Sequence, residues 1–201
     1  MQNYVRDALD CSRIVKKPVK VIWAREDDLK HGAFRPAAAQ YMRAGLDETG
    51  HLAAWHHRVA TPSVIAYFNP IRWAQVKPKD IISMRGAEAK FYDTANFLAE
   101  HVVTERHARV LPWRGIGAAY TSFASEAFMD EVAEKAGKTP LDFRKSLMTN
   151  NARGSALLDK VAAMASETPT EQGHGRGMAF AGYGETQVAG IAHISDDRDS
   201  G

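Results

Sequence analysis

Two alternating segments joined by a tight turn constrain the fold of this chain more than any other sequence feature. Residues 39–46 (AQYMRAGL) alternate as a half-buried strand does, and residues 52–60 (LAAWHHRVA) form a second strand-like segment. Between them, residues 47–50 (DETG) have the composition of a tight turn. The pattern predicts an antiparallel β-hairpin, and therefore a fold that contains a sheet.

Helical periodicity predicts two prominent helices outside this hairpin. Residues 3–15 place apolar side chains at helical spacing, and Cys11 lies on the apolar side. Residues 122–136 (SFASEAFMDEVAEKA) form the strongest helical pattern in the chain, with Phe123 on the apolar stripe and Glu126 on the polar remainder. We therefore expect Cys11 and Phe123 to be buried and Glu126 to face solvent.

End signals define two further helices. Gly137 is expected to end the helix before it as a left-handed cap residue. Thr139 can then act as N-cap and Pro140 occupies the favoured first position of a new helix. A further helical pattern covers residues 155–165, whereas residues 25–32 are charged and predict a loop or a single helical turn.

Three other segments predict strands or remain open. Residues 19–23 (VKVIW) predict a short buried strand, and residues 178–194 predict a late strand with two glycines in its middle. Residues 92–103 fit a short helix or a strand equally well. Because strands and helices do not alternate regularly, we expect an α+β fold, with mixed sheet and hairpins and several packed helices.

Composition excludes several classes of protein. The 201 residues include 26 basic and 24 acidic side chains, a net charge of +2, which is too weak for nucleic-acid binding on charge alone. One cysteine excludes an internal disulfide framework and a cysteine-rich metal site within this chain. No apolar run approaches the length of a membrane span, and residues 1–10 lack the apolar region of a signal peptide.

The candidate functional motif is the segment 111–117 (LPWRGIG), directly before the strongest helix. Gly115 and Gly117 allow backbone N–H groups to approach an anion, and Arg114 supplies a guanidinium fork for a phosphate or carboxylate. The helix behind them adds its positive N-terminal end. The alternative is a loop whose glycines merely permit a turn, with Arg114 ion-paired on the surface.

Other polar motifs have simpler interpretations. Residues 173–177 (GHGRG) fit a flexible entry into a strand, and the acidic run at residues 26–28 fits a solvated loop or a helix first turn. His56 and His57 are adjacent, so on a strand they point to opposite faces, a poor arrangement for one metal ion. His101 and His107 lack the spacing of a zinc-binding helix.

Several separated blocks together resemble one enzyme family. They are PVKVIWAREDDL (18–29) followed by His31 and FRPA (34–37), PWRGIG (112–117) continuing through EAFMDE (126–131) and GKTPLDFR (137–144), and GRGMAF (175–180). In this order they resemble the molybdenum-binding large (beta) subunit of the xanthine dehydrogenase/aldehyde oxidase family, in its isoquinoline 1-oxidoreductase-type branch. The similarity extends over almost the whole chain.

The resemblance implies a cofactor, a partner and a reaction. It implies an α+β subunit that holds a molybdenum–molybdopterin cytosine dinucleotide and works with a small 2Fe–2S subunit. The reaction is hydroxylation of a carbon next to nitrogen, or of an aldehyde, with oxygen from water. By the same resemblance, Arg114, Gly115, Ile116 and Gly117 bind the cofactor.

The resemblance also implies a substrate pocket. Arg35 matches an arginine near the pocket of purine-oxidising relatives, Ile116 stands where relatives place an aromatic wall, and Phe180 matches another aromatic pocket position. Glu185 imitates the general-base glutamate of the family, but its place in the order of motifs excludes that role, so the base is expected outside this chain. No residue of the chain is expected to be a molybdenum ligand.

The chain departs from the family pattern in length. Family subunits are several times longer than 201 residues, so we expect a central fragment that is inactive alone and needs the remainder of the large subunit. Within it we expect a hairpin-containing part at about residues 1–108, and the arginine–glycine loop, helices and late strand at about 109–201. The expected compartment is the cytoplasm, or the periplasm if a preceding segment carries an export signal. The alternative is a stand-alone, cofactor-free α+β module that binds an anion or a partner through the Arg114 loop.

Overall fold

The computed structural model describes residues 3–88, 90–105, 108–167 and 173–195. Within these ranges the chain forms seven helices and five strands. The helices are α1 (Asn3–Val15), α2 (Arg25–His31), α3 (Val64–Phe68), α4 (Pro70–Val76), α5 (Ala118–Lys135), α6 (Pro140–Ser146) and α7 (Ala152–Ser166). The strands are β1 (Ala39–Leu46), β2 (Leu52–Thr61), β3 (Asn96–Val103), β4 (His174–Tyr183) and β5 (Thr186–Ser195).

The predicted hairpin is confirmed as the first two strands of a three-stranded sheet. β1 and β2 pair antiparallel, and β3 pairs parallel to β2, so β2 is the central strand. Trp55 on β2 stands between Ala44 and Phe97 in this register. The pairing of β3 with β2 also decides the open segment 92–103 in favour of a strand.

The prediction of one late strand over residues 178–194 is wrong, because the chain forms two strands there. β4 and β5 form an antiparallel ribbon in which Tyr183 pairs with Thr186, which leaves a two-residue turn between them. Gly184 occupies this turn with φ of +60°, a conformation that glycine adopts without steric cost. Gly184, which the prediction placed in the middle of one strand, is instead the point at which the chain reverses.

The short strand predicted over residues 19–23 does not form. A strand needs a partner for its backbone groups, and this segment pairs with no strand in the described part of the chain. Trp23 instead packs edge-on against Tyr4 of α1 at 5.0 Å, and its Nε1 donates to Asp7 Oδ2 at 3.2 Å. The following charged segment, predicted as a loop or single turn, forms the helix α2.

The prediction that Cys11 is a core residue is wrong, because its side chain is exposed. Most of α1 is exposed, including Val5, Leu9 and Ile14. At its N-terminal half the helix contacts Trp23 and, through the Tyr4 hydroxyl, Asp28 of α2. Within the described residues, much of its apolar side is exposed. Helical periodicity predicted the helix correctly and its burial incorrectly.

The α+β class is confirmed, and its main core lies between the first sheet and α5. The larger apolar cluster consists of Leu52, Trp55, Met129, Val132, Ala133, Phe143 and Leu147. A second cluster, under the β4–β5 ribbon, contains Met148, Leu158 and Phe180. The expected division of the chain near residue 108 stays a prediction.

The predicted faces of α5 are partly inverted. Phe123 is 76% exposed, whereas Glu126 is only 6% exposed. The buried side of the helix carries Thr121, Ser125 and Glu126 beside its apolar residues, and polar partners meet two of these three. Thr121 Oγ1 donates to the carbonyl of Arg85 at 2.7 Å, and Glu126 Oε2 accepts from the amide of Phe180 at 2.8 Å. Hydrogen bonds to remote segments allow Thr121 and Glu126 to lie on the buried side, which periodicity along the chain does not reveal.

The predicted helix-end signals are confirmed. Gly137 follows α5 with φ of +68°, and Thr139 Oγ1 accepts a hydrogen bond from Asp142 N at 3.1 Å at the start of α6. Pro140 is the first residue of that helix. None of the helices in the described ranges combines the length and apolarity needed to cross a bilayer.

Candidate functional site: the arginine–glycine loop

The candidate loop, residues 111–117, connects an isolated β-bridge to the first turn of α5. Val110 bridges Phe34, and backbone hydrogen bonds on either side of this bridge join Phe34 N to Arg109 O at 2.9 Å and Leu111 N to Phe34 O at 3.1 Å. The loop then turns tightly, because Ile116 N donates to Trp113 O at 2.7 Å. The segment before β1 is thus attached to the loop before the loop begins its turn.

Two consecutive residues of the loop are left-handed. Gly115 has φ of +81° and Ile116 has φ of +50°. Glycine adopts this region freely, but a β-branched residue there is a genuine outlier that costs about 1–3 kcal/mol and persists only when its surroundings impose it. Such strain concentrates at binding sites, so the outlier at Ile116 supports the choice of this loop as a functional site.

Arg35 donates two hydrogen bonds to the left-handed part of the loop. Its Nη1 donates to Ile116 O at 3.0 Å and its Nη2 donates to Arg114 O at 2.8 Å. The resemblance placed Arg35 near the substrate. The structure places its guanidinium on two carbonyl oxygens of the loop.

The segment 80–87 packs against the loop and accepts a hydrogen bond from it. Gly117 N donates to Ile82 O at 3.3 Å, and a Cβ at Gly117 would lie 2.4 Å from Ser83 O and 2.8 Å from Ile82 O. Tyr120, in the first turn of α5, donates its hydroxyl to Ser83 O at 2.6 Å. Only glycine fits at position 117, because side-chain atoms there would overlap the supporting backbone.

Buried Asp80 organises that supporting segment. Burial alone would raise its pKa, but hydrogen bonds from the Ser63 hydroxyl and from the amides of Ser83 and Ile65 leave the pKa of Asp80 below its ordinary value. Sequence reasoning did not single out Asp80. The signal that could have found it is the Asp80–Ser83 spacing, which is that of a capping residue and the amide it accepts from.

Arg114 is exposed, and within the described ranges its guanidinium has no ion pair or hydrogen bond. The surface ion pair considered as the alternative therefore does not form there. Of the predicted backbone donors, Ile116 N and Gly117 N are both engaged inside the protein. The group that the loop presents outward to an anion is the side chain of Arg114, ahead of the positive end of the 18-residue helix α5.

A concave surface lies beside the loop. One depression of about 250 Å³ is lined by Asp28, Leu29, Ala33, Phe34, Arg35 and Trp113. An adjoining one of about 240 Å³ shares Asp28, Ala33 and Trp113 and extends to Tyr4 and Trp23. Trp113 is 56% exposed and Phe34 is 46% exposed, so the walls offer aromatic surface. Sequence reasoning did not single out either aromatic side chain, although Phe34 directly precedes Arg35 and Trp113 directly precedes Arg114.

Phe180 does not join this surface. It is 2% exposed, and it packs edge-on against Phe91 at 5.7 Å and against Tyr92 at 5.9 Å. Its amide donates to Glu126 Oε2 at 2.8 Å, which fixes β4 against α5. The structure brings Arg35, Arg114 and Ile116 together and places Phe180 in the core, because the alternation of β4 directs its side chain toward α7.

The described residues contain no group of three or more His, Cys, Asp or Glu side chains placed to hold a metal ion. His56 and His57 point to opposite faces of β2: His57 is buried, and His56 contacts Glu100 on the other face. His107 lies outside the described residues. The interpretation of residues 173–177 as a flexible entry before the strand is wrong for residues 174–177, which pair with β5 as the first part of β4.

Comparison with known protein families places the chain in a cofactor-binding family. The family model of the molybdopterin cofactor-binding domain matches residues 8–148. This range includes the candidate loop, Arg35 and the segment 80–87. The chain belongs to this family. The resemblance inferred from the sequence motifs is thereby confirmed.

Particular relatives agree with this assignment. The beta subunit of isoquinoline 1-oxidoreductase from Brevundimonas diminuta is 33% identical, over 96% of this chain and 25% of that protein. The aldehyde oxidoreductase molybdenum-binding subunit of Escherichia coli (strain K12) is 31% identical, over 66% of this chain and 17% of that protein. The structure of quinoline 2-oxidoreductase from Pseudomonas putida 86 matches 85% of this chain and 25% of that chain, with a TM-score of 0.65 and 17% identity.

The structural match shows a shared fold, and the sequence matches show the family. The chain spans about a quarter or less of the length of these relatives. What each relative acts on or binds is therefore a property of a much longer protein.

Proposed function

We propose that this chain forms part of the cofactor wall in the large subunit of a molybdenum hydroxylase. Arg114 faces the anionic part of a molybdenum–molybdopterin cofactor in its cytosine dinucleotide form, and residues 115–117 shape the backbone around it. The observation that carries the proposal is an exposed guanidinium that has no partner among the described residues, on a hydrogen-bonded loop at the N-terminus of a long helix. Such a group is the usual partner of phosphate.

The residues present fit an anionic group. Arg114 has no competing carboxylate among the described residues, whereas the buried Arg144 is saturated by its neighbours. The loop is ordered before any ligand arrives, because Arg35 and Ile82 hold its backbone. A preordered site loses less conformational entropy when a ligand binds.

The proposed parent reaction is oxidation of an N-heterocycle or an aldehyde with oxygen from water, and electrons pass to a small 2Fe–2S subunit. When bound, the cofactor supplies the oxygen-transfer and electron-accepting chemistry. The chain's own contribution is to bind and orient. Ile116 and the aromatic surfaces of Phe34 and Trp113 offer apolar contact to a flat substrate, and Arg114 neutralises charge beside it.

On this proposal the isolated chain has no turnover, because the remainder of the large subunit and a general base are needed. The proposed compartment is the cytoplasm, with the periplasm as the alternative. Cell fractionation followed by immunoblotting of the native protein decides between these two compartments.

The proposal is tested by anion binding to the purified chain. Cytidine diphosphate is the probe, and titration calorimetry compares the unsubstituted chain with Arg114→Ala. We expect Arg114→Ala to weaken binding by about tenfold or more, since hydrogen bonds to a charged group contribute about 1.5–3 kcal/mol. Arg43→Ala is the matched control, because Arg43 is also exposed and, among the described residues, has no ion pair.

Equal affinities for cytidine diphosphate in the unsubstituted chain and Arg114→Ala would contradict the assigned site. A further comparison uses inorganic phosphate. Equal affinity for phosphate and cytidine diphosphate, lost in Arg114→Ala, would favour the alternative of a cofactor-free anion-binding module.

A further inference from the structure

Arg35 and the candidate loop form one hydrogen-bonded unit. The backbone of Phe34 pairs on both sides of Val110, directly before the loop, and the next residue sends both terminal nitrogens of its guanidinium to loop carbonyls. The two acceptors, Arg114 O and Ile116 O, flank Gly115. The guanidinium therefore spans the left-handed part of the turn.

This contact suits arginine and no other side chain. A planar guanidinium presents two parallel N–H groups in a fixed fork, so it can hold two carbonyl oxygens at a fixed separation. A lysine ammonium is a single point charge on a flexible stem. The loop needs this restraint because the left-handed conformation of Ile116 is unfavourable on its own.

We propose that Arg35 is a positioning residue for the loop, and that it is not a direct contact of the substrate. Its guanidinium holds Gly115 and Ile116 left-handed, directly after the exposed Arg114. The role assigned to Arg114 and Ile116 rests on the proposed function. The restraint of the loop by Arg35 does not.

Hydrogen–deuterium exchange of the purified chain tests the restraint. Mass spectrometry of peptides that cover residues 112–120 compares the unsubstituted chain with Arg35→Ala, Arg35→Lys and the control Arg43→Ala. We expect exchange in these peptides to be about tenfold faster in Arg35→Ala and faster in Arg35→Lys, with Arg43→Ala unchanged. Exchange in peptides of α7 serves as the internal reference for global stability.

Chemical rescue gives a readout that a general loss of stability does not produce. Millimolar ethylguanidinium should slow exchange of the loop in Arg35→Ala and leave α7 unaffected, because it restores the missing fork. Unchanged loop exchange in Arg35→Ala would overturn the proposal. So would full protection in Arg35→Lys, or faster exchange that ethylguanidinium does not slow.

The two proposals fail separately. If cytidine diphosphate does not bind through Arg114 but loop exchange still depends on Arg35, the positioning role stands and the cofactor assignment fails. If binding depends on Arg114 but the loop is indifferent to Arg35, the cofactor assignment stands and the positioning role fails.

Discussion

The buried arginine at position 144 and the exposed arginine at position 114 show two opposite uses of the same side chain. Arg144 is fully buried, and its Nε donates to Glu126 Oε2 at 2.9 Å while Nη2 donates to Glu126 O at 2.9 Å and to Met178 O at 3.3 Å. Nη1 contacts Asp130 Oδ1. Arg114, in contrast, is exposed and has no partner within the described ranges.

The difference teaches how to separate a structural arginine from a candidate binding arginine. The donors of Arg144 are occupied by α5, α6 and β4, so nothing is left for a ligand. Its partner Glu126 also accepts from Tyr92 Oη at 2.9 Å and from Phe180 N at 2.8 Å. Burial raises the pKa of Glu126, and the charge of Arg144 opposes that shift. The hydrogen bonds of Arg144 and Glu126 hold α5, α6 and β4 together, whereas the arginine–glycine loop leaves the charge of Arg114 available.

The largest expected effect comes from removing the buried arginine. Arg144→Met should lower the free energy of unfolding by about 3–5 kcal/mol, because it leaves the carboxylate of Glu126 buried without its cation. Urea denaturation followed by circular dichroism measures the change. Lys145→Met is the matched control, since it removes only the exposed ion pair with Asp159 and should cost no more than about 1 kcal/mol. Equal losses in both variants would remove the distinction between buried and exposed pairs.

A somewhat smaller effect should follow from acidification through His57. Burial lowers the pKa of His57 from 6.5 to about 4, and its Nε2 contacts Gln40 Oε1 at 2.8 Å. Between these two pKa values the unfolded chain binds the proton and the folded chain does not. The contribution of His57 to the free energy of unfolding is therefore fully present above pH 6.5 and declines as the pH falls toward 4. The loss amounts to at most about 3 kcal/mol.

The check on His57 is the pH dependence of urea unfolding between pH 7 and pH 4. His57→Gln removes the titrating group, so its stability should fall less steeply over that range. An identical slope in both proteins would show that other groups cause the acid sensitivity.

The support beneath the loop should be sensitive to a single methyl group. Gly117→Ala places a Cβ against the backbone of residues 82 and 83 and should destabilise by about 1–3 kcal/mol, as overpacking does. Thermal unfolding measures the effect. Gly175→Ala, on exposed strand β4, meets nothing within 4 Å and is the matched control. If Gly117→Ala is as stable as this control, the loop is not packed on segment 80–87.

The smallest effect on stability is expected at the candidate binding residue itself. Arg114→Ala should change the free energy of unfolding by no more than about 0.5 kcal/mol, because the side chain has no partner to lose. The same denaturation assay used for Arg144→Met measures this. A loss comparable to that of Arg144→Met would give Arg114 a structural role and remove its contrast with Arg144.

Sequence reasoning succeeded where the signal is local. The hairpin turn at residues 47–50, the cap at Gly137 and the N-cap at Thr139 depend on backbone geometry and on hydrogen bonds a few residues away, so the residues themselves reveal them. The arginine–glycine loop was recognisable for the same reason, since its glycines precede a strong helix. The family resemblance then followed from the order of the motifs.

Sequence reasoning failed where the position of a residue depends on a partner that is distant along the chain. Residues 19–23 have strand composition but find no neighbouring strand, and Glu126 looks like a surface residue because its partner Arg144 is 18 positions away. The placing of Arg35 in a substrate pocket stays a prediction, and its contact with Ile116 spans 81 positions and was not predictable from spacing.

The sequence by itself determined the hairpin, the helix ends, the arginine–glycine loop and the family, because each is encoded in contiguous residues or in their order. The tertiary structure decided which arginine is saturated and which is available. It also decided that Arg35 holds the loop and that Phe180 belongs to the core. These outcomes depend on the burial of charge and on hydrogen bonds between remote segments, and periodicity along the chain carries no information about either.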